Sequence, residues 1–474
     1  MSRVQDEPLQ PPSTLGEIKL EWMKTALAPK LPQHFTIESC TMRPHQSFNG
    51  NNSAVAFFDL TFKAADSVSE AVAEAAQNAL SSQGLRTVAV KLMPAEGIVP
   101  GWLLKRFWKA EMFFYSHMSG GFPQPKCFYK SMNEVGNTGI LIMNVMSDVG
   151  KNLRAGDSNR DLTYGEACLS LIILAKFHAK WWNCKDPNVT KSLGHFKSME
   201  SGITCKFLMG GAEHMLKVPE YEGLYPLIRA MKSKVKAVFK MLKRPPYTVT
   251  HGDSRSDNFF YTLNEQSDTF DEHKYGEIAF DGSHTTLLNQ IMQKEEADDD
   301  TGSNNSSVRD SMGSVNSSLD GSSEAALCDF QMIMISNPMR DYANFVVNSL
   351  APADRRAWND KLIRHYWMEL LRNGVDSTEY RLDQAIVDAR VMTFWPLLCN
   401  ISIAEGQLKH FNELAGKEAA GTISDEEKSK LMLTRKTRPR LMSAAQDAGL
   451  LELLSDKPSD PNLPFIPCCC CWGC

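Results

Sequence analysis

Thr248-Val249-Thr250-His251-Gly252-Asp253-Ser254-Arg255-Ser256-Asp257-Asn258-Phe259-Phe260-Tyr261-Thr262-Leu263 is the stretch on which the reading of this chain turns. Its ends, Tyr247–Thr250 and Asn258–Tyr261, are short β-prone runs, so the pattern predicts a hairpin with a polar loop carrying His251, Asp253, Arg255, Asp257 and Asn258. Asp253 and Asn258 stand five residues apart. At that spacing a phosphoryl-transfer loop places one carboxylate to orient a hydroxyl and one amide oxygen to hold a magnesium ion. A hairpin turn that is simply rich in Asp, Asn and Ser reads the same way, and this stretch alone does not separate the two.

Composition bounds what the rest can be. With 474 residues, 43% hydrophobic and 23% charged, the chain can bury two or three cores. The formal charge of -5 is concentrated, because residues 290–325 hold eight acidic and two basic side chains. The remainder is near neutral, with no basic stripe for nucleic acid. Seven of the twelve cysteines are scattered singly with no CxxC pair among them, and the start Met-Ser-Arg-Val-Gln-Asp-Glu-Pro is polar. The expectation is free thiols in a reducing, cytoplasmic setting. No run of about 18 apolar residues suggests a membrane span.

Upstream, residues 1–14 read as a disordered arm and 15–29 as a helix. Two β-runs, Phe35–Cys40 and Ala54–Phe62, flank a polar loop whose Asn51, Asn52 and Ser53 are candidates for laying backbone amides over a phosphate; any hairpin would look similar. Val68–Ser81 reads as a helical insert. Thr87-Val88-Ala89-Val90-Lys91-Leu92-Met93 is a further strand with a lysine near its end. In the helix expected over Gly101–Met118, Leu104, Phe107, Glu111 and Phe114 recur at three- and four-residue spacing, which puts Glu111 on the buried face. A carboxylate there needs a cation, and Lys91 is the nearest candidate. Gly139–Met146 is a buried strand leading toward a helical region, where Thr163 and Glu166 form a capping box. His178 falls on the apolar face of that helix and reads as a satisfied core histidine. Tyr221–Lys243 is another expected helix.

After Tyr261 come about 60 residues, 265–324, acidic and Ser-rich, which cannot bury a core and read as a disordered insertion. Ala325–Gln331 resumes as a strand closed by Asp329, and Asn337-Pro338 turns the chain into a helix with Asp341 near its start. Asp281 is a weaker second candidate for the role of Asp329.

His251-Gly252-Asp253, Asn258, Asp329-Phe330-Gln331 and Asp341-Tyr342-Ala343 together resemble the aminoglycoside phosphotransferase and choline-kinase group, most closely its ecdysteroid-kinase-like (CHK kinase-like) branch. Arg255 and Asp257 also resemble phosphotransferases linked to acyl-CoA dehydrogenases. The resemblance covers Phe35 to Gln407 and implies an α+β, two-lobed protein-kinase-like fold with a small β-rich N-lobe and a large, mostly helical C-lobe. The expected division is N-lobe 15–146, C-lobe 147–415 and a basic, Cys-rich tail 416–474. It further implies transfer of the ATP γ-phosphoryl group to a hydroxyl of a small steroid-, lipid- or amino-alcohol-like molecule. Asp253 matches the catalytic aspartate, Asn258 and Asp329 the Mg2+ ligands, Lys91 the phosphate lysine, Glu111 its partner and Asp341 a brace for the catalytic loop. Tyr366, Trp367, Phe394 and Trp395 are candidates for lining an acceptor site, or plain core. The glycine-poor phosphate loop and the long insertion depart from the family, so a catalytically inactive pseudokinase is the other reading. Cys468–Cys471, downstream of the basic run Lys428–Arg440, suggest peripheral membrane attachment by S-acylation.

Overall fold

A computed structural model describes residues 9–44, 48–49, 53–94, 101–148, 153–194, 206, 209–262 and 325–455. Asn51, Asn52, the insertion with Asp281, and the cysteines of residues 468–474 lie outside them. The fold is α+β, and the chain forms two compact units: residues 1–155 with 326–333, and residues 156–325 with 334–474.

The first unit is built on an antiparallel sheet. Its strands are β1 (Phe35–Met42), β2 (Phe48–Asn49), β3 (Ala54–Ala64), β4 (Thr87–Leu92), β5 (Cys127–Asn133) and β6 (Thr138–Asn144), ordered β1-β3-β4-β6-β5 with β2 on β3. Alternation sends Val88, Val90 and Leu92 of the central strand β4 into a core with Ile37, Phe58, Leu60, Ile140 and Ile142, which helices α1 (Leu20–Leu27) and α2 (Glu70–Ser82) complete through Met23, Leu27 and Leu80. Lys91, one residue out of phase with that set, is thereby turned to the other face. Helix α3 (Gly101–Phe113) supplies Leu104, Trp108 and Glu111 as its buried stripe, so Trp108 takes the place expected for Phe107. Close packing against β6 needs Gly139, because a Cβ there would stand 3.1 Å from the Trp108 ring. Residues 9–14 are not a loose arm. Leu9 packs against the core, Trp22 Nε1 donates to the Gln10 carbonyl at 3.0 Å, and Asn133 Nδ2 to Gln10 Oε1 at 2.9 Å.

The first unit runs nine residues beyond the expected boundary, through β7 (Leu153–Ala155), and also claims the segment that carries Asp329. The second unit is helical. Its central helix, α9 (Met339–Ser349), buries ten of its eleven residues, Arg340 and Asp341 among them. The unit also holds α4 (Tyr164–Lys180), α5 (Pro187–Leu193), α6 (Ala212–Met215), α7 (Tyr225–Ser233), α8 (Val235–Leu242), α10 (Pro352–Arg372), α11 (Leu382–Met392), α12 (Phe394–Ala419), α13 (Asp425–Asp447) and α14 (Leu450–Leu453), of which α10, α11, α12 and α13 pack on α9. Leu382–Ala419 is long and apolar enough to cross a membrane by composition. More than half of its most apolar window is buried inside the protein, as in a core helix.

Two expectations are corrected here. The basic run expected in a tail forms the body of α13, where Arg438 meets Glu220 at 2.7 Å, Lys436 meets Asp161 at 3.0 Å, and Arg440 also meets Asp161. The predicted hairpin also does not form. Strand β8 (Thr248–Thr250) pairs antiparallel with β11 (Met334–Ser336) in the register Met334↔Thr250, while β9 (Phe259–Thr262) is not its partner. The residues 251–258 between them are held by Asp341 rather than closed as a turn, and β8 pairs with a strand distant in sequence.

Candidate active site

In the sheet unit the candidate residues gather around one buried ammonium. Lys91 Nζ lies 2.7 Å from Glu111 Oε2 and 2.8 Å from Asp329 Oδ1, and 5.9 Å from the centre of the Trp108 ring. Asp329 does not close a strand as expected, because β10 (Ala325–Leu327) ends first. Its backbone is left-handed, φ 63° and ψ 69°, and a short 3-10 turn, Phe330–Met332, follows. Aspartate tolerates this conformation better than most residues, yet it is held only where the surroundings require it. The requirement comes from Phe330, fully buried and stacked on Phe114 with centroids 3.6 Å apart, with Phe122 at 6.1 Å. Phe114 is placed by the π-turn, Phe114–Met118, that ends α3. Gln331 Nε2 donates to Asp329 Oδ2 at 3.2 Å, so both carboxylate oxygens have donors.

Two carboxylates sharing one cation leave a residual negative charge. Burial pushes the Glu111 carboxyl up to about 7; Lys91 opposes this and the Asp329 charge adds to it. For Lys91, burial favours the neutral form, but the two carboxylates outweigh it and the net shift is upward.

In the helical unit the loop 251–258 is held by Asp341, which is fully buried. Its carboxylate accepts the backbone N–H of His251 (2.5 Å) and of Gly252 (2.8 Å), and its backbone carbonyl accepts Ser254 Oγ–H at 2.7 Å. Gly252 has φ 86°, a conformation open to glycine that lets two successive amides face one carboxylate. His178 Nε2 lies 2.9 Å from Asp341 Oδ2, and its Nδ1 lies 2.6 Å from Tyr366 Oη. A Tyr366 hydroxyl donating to Nδ1 sets the proton on Nε2, facing Asp341. Burial alone would raise the Asp341 pKa; the His178 contact and the neighbouring charges of Arg340 and His251 outweigh it, and the carboxyl lies below its ordinary value.

At the loop's other end Asn258 Nδ2 donates to the Asp253 carbonyl at 2.6 Å and to Asp253 Oδ2 at 3.2 Å. Arg255 bridges Asp253 (3.2 Å) and Asp257 (3.1 Å). Asp253 remains one-fifth exposed. Ser53, at the start of β3, is described and buried, unlike Asn51 and Asn52. Tyr366, Trp367, Phe394 and Trp395 are all core, and Trp395 lies under the Arg340 guanidinium at 4.0 Å. Among the described residues, no three His, Cys, Asp or Glu side chains converge as a metal site.

Sequence reasoning missed one support. Asp388 on α11 is fully buried and holds Arg244 at 2.6 Å and Asn337 Nδ2 at 2.9 Å. Asn337 in turn accepts the Met339 N–H at the start of α9. The signal was present, since Asp388 shares a helix face with Ala385, Ala389 and Met392, an acid in an apolar stripe, as Glu111 is.

No family model matches the chain, and no curated protein matches it either. Similar solved structures include an ethanolamine kinase of Plasmodium vivax, 11% identical over 87% of this chain and 82% of that one, TM-score 0.43. Another is a choline kinase of Cryptosporidium parvum, 9% identical over 91% and 97%, TM-score 0.43. A third is aminoglycoside 2'-phosphotransferase-IIIa with GDP, 12% identical over 89% and 99%, TM-score 0.40. At such identities and scores the likeness says nothing of this chain's substrate.

Proposed function

We propose that this chain is an ATP-dependent phosphotransferase that moves the γ-phosphoryl group to a hydroxyl of a small molecule. The observation that carries the reading is Lys91, a buried ammonium held between Glu111 and Asp329. A cation fixed by one carboxylate and shared with a second is suited to binding phosphate oxygens when the second carboxylate is drawn elsewhere. Glu111 then keeps Lys91 in place. Asp253, oriented by Arg255 and Asn258, positions the acceptor hydroxyl and takes its proton as the new oxygen–phosphorus bond forms. The bond from the γ-phosphorus to the bridging oxygen breaks and ADP leaves.

Asn258 and Asp329 offer oxygen donors, which suit Mg2+. That ion uses one or two carboxylates together with nucleotide phosphates rather than a preformed protein cage. When bound, magnesium supplies neutralisation of the charge spread over the phosphate oxygens. Among small-molecule kinases, the ecdysteroid-kinase-like branch, with a steroid-, lipid- or amino-alcohol acceptor, is the finer reading supported by the Asp329-Phe330-Gln331 motif.

A pseudokinase reading is favoured by one observation, that both Asp329 oxygens already have protein donors. Calorimetric titration of Mg-ATP and a turnover assay against a panel of alcohols separate the two. Asp253→Asn is expected to keep Mg-ATP binding and lose transfer by on the order of a hundredfold or more. Asp329→Asn is expected to weaken magnesium-dependent binding as well. Nucleotide binding that ignores magnesium, with neither variant changing it, would sink the enzyme reading.

A further inference from the structure

The charge of the helical unit is unevenly matched. Residues 225–244 contain seven basic side chains and no acidic one; Arg244 is paired with Asp388 and Lys232 with Glu213. Helix α7 buries Leu227, Ile228 and Met231, and α8 buries Val238, Phe239, Met241 and Leu242, which leaves Arg229, Lys232, Lys236 and Lys240 exposed. Lys217 joins Arg229 and Lys232 across an open groove lined also by Leu216 and Glu213. Glu213 is outnumbered. Its contact with Lys232 holds its carboxyl below the ordinary range, and Lys217 and Arg229 add to that pull. Helix α13 looks equally basic in sequence but is neutralised, since Lys428, Lys430, Arg435 and Lys436 each meet a carboxylate.

The described chain ends at the uneven face. Helix α14 packs on α7, and Lys234, at the break between α7 and α8, donates from Nζ to the Leu454 carbonyl at 2.8 Å. Ser455 follows, and twelve residues separate it from Cys468, the first of the clustered cysteines. Such a span reaches at most about 45 Å when extended.

We propose that the exposed basic face of α7 and α8 docks on an anionic phospholipid surface, beside the point from which the cysteine-rich end departs. One acyl chain alone gives marginal attachment, and a basic patch is the second signal that makes it stable. Each basic residue near an anionic leaflet adds about fivefold to the affinity.

The test uses full-length, unacylated protein, so that electrostatics alone is read. Sedimentation with phosphatidylcholine vesicles, with and without phosphatidylserine, should show binding only to the anionic ones, weakening with salt. The combined variant Lys217→Gln, Arg229→Gln, Lys236→Gln, Lys240→Gln should lose on the order of several hundredfold. The matched variant Lys428→Gln, Lys430→Gln, Arg435→Gln, Lys436→Gln should lose little. Wild type that ignores phosphatidylserine overturns the proposal, as does an equal loss in the matched variant. Salt-sensitive retention on immobilised polyglutamate without vesicle binding assigns the face to an acidic protein and overturns it too.

Discussion

Glu111 and Asp341 are both buried carboxylates, and the two units satisfy them in different ways. Asp341 is held by two backbone amides and a histidine, groups that the fold itself fixes. Glu111 relies mainly on the side chain of one lysine that also serves Asp329, with a backbone hydrogen bond from Phe330 beside it. The consequence appears in their titration: Asp341 lies below its ordinary range, whereas Glu111 is pushed up to about 7. Backbone donors make a rigid loop, which suits the positioning of Asp253. A shared side-chain cation makes an arrangement that a polyanion can redistribute. Under the proposed function, the loop would supply geometry and the lysine cluster exchange.

The sharpest way to break that contrast is Asp341→Ala. It leaves three donors buried without an acceptor, and the expected loss is about 3–5 kcal/mol, read from the urea midpoint. A loss below about 1 kcal/mol would mean that the loop is held by something else. Lys91→Met comes next. It strands Glu111 and Asp329, but Glu111 relieves the strain by protonating, so about 2–3 kcal/mol is expected. An unchanged midpoint would count against the buried pair.

The two carboxylates also predict opposite pH dependences. Asp341, lowered in the folded state, contributes stability that is complete above its ordinary value of 3.8 and is lost as pH falls through the folded value. Glu111, raised from 4.5 to about 7, contributes stability present below 4.5 and lost as pH rises through about 7. Melting curves between those limits should show Glu111→Gln flattening the slope on the neutral side and leaving the acid side as in wild type. A slope that Glu111→Gln does not change assigns it to other groups.

The lysine cluster was legible because each member broke a local period: Lys91 is out of phase with Val88, Val90 and Leu92, and Glu111 sits in an apolar helical stripe. Such anomalies reveal that a partner must exist, and here the partner was also near in sequence. The same rule flags Asp388, but Arg244 lies 144 residues away and no local pattern points to it. Partner choice over long separations is where sequence reading stopped. Strand β8 was assigned its neighbour β9 because hairpins are the short-range default, while its true partner begins at Met334. The charges of α13 read as a free basic tail because the acids that neutralise Lys436 and Arg438 lie 275 and 218 residues upstream. His178 was readable as a core residue, yet its service to Asp341 spans 163 residues. The left-handed backbone at Asp329 follows from Phe330 seating on Phe114, a packing event that no dipeptide signals.

The smallest expected effect concerns the acidic stretch between Thr262 and Ala325, which lies in sequence between the braced loop and Asp329. Its acidic, Ser-rich composition leads to the expectation that it contributes no more than a chain closing a loop. Removing Gln290 to Gly321 roughly halves the 62 residues from 263 to 324. Closure entropy grows only as the logarithm of length, so halving the loop stabilises the fold by about 0.6 kcal/mol. The deletion should therefore leave the urea midpoint within about that margin and leave Mg-ATP affinity unchanged, in contrast with Asp341→Ala and Lys91→Met. A deletion that unfolds the protein would show that the stretch supports one of the two carboxylate sites, and the division of labour between backbone donors and shared lysine would then be incomplete.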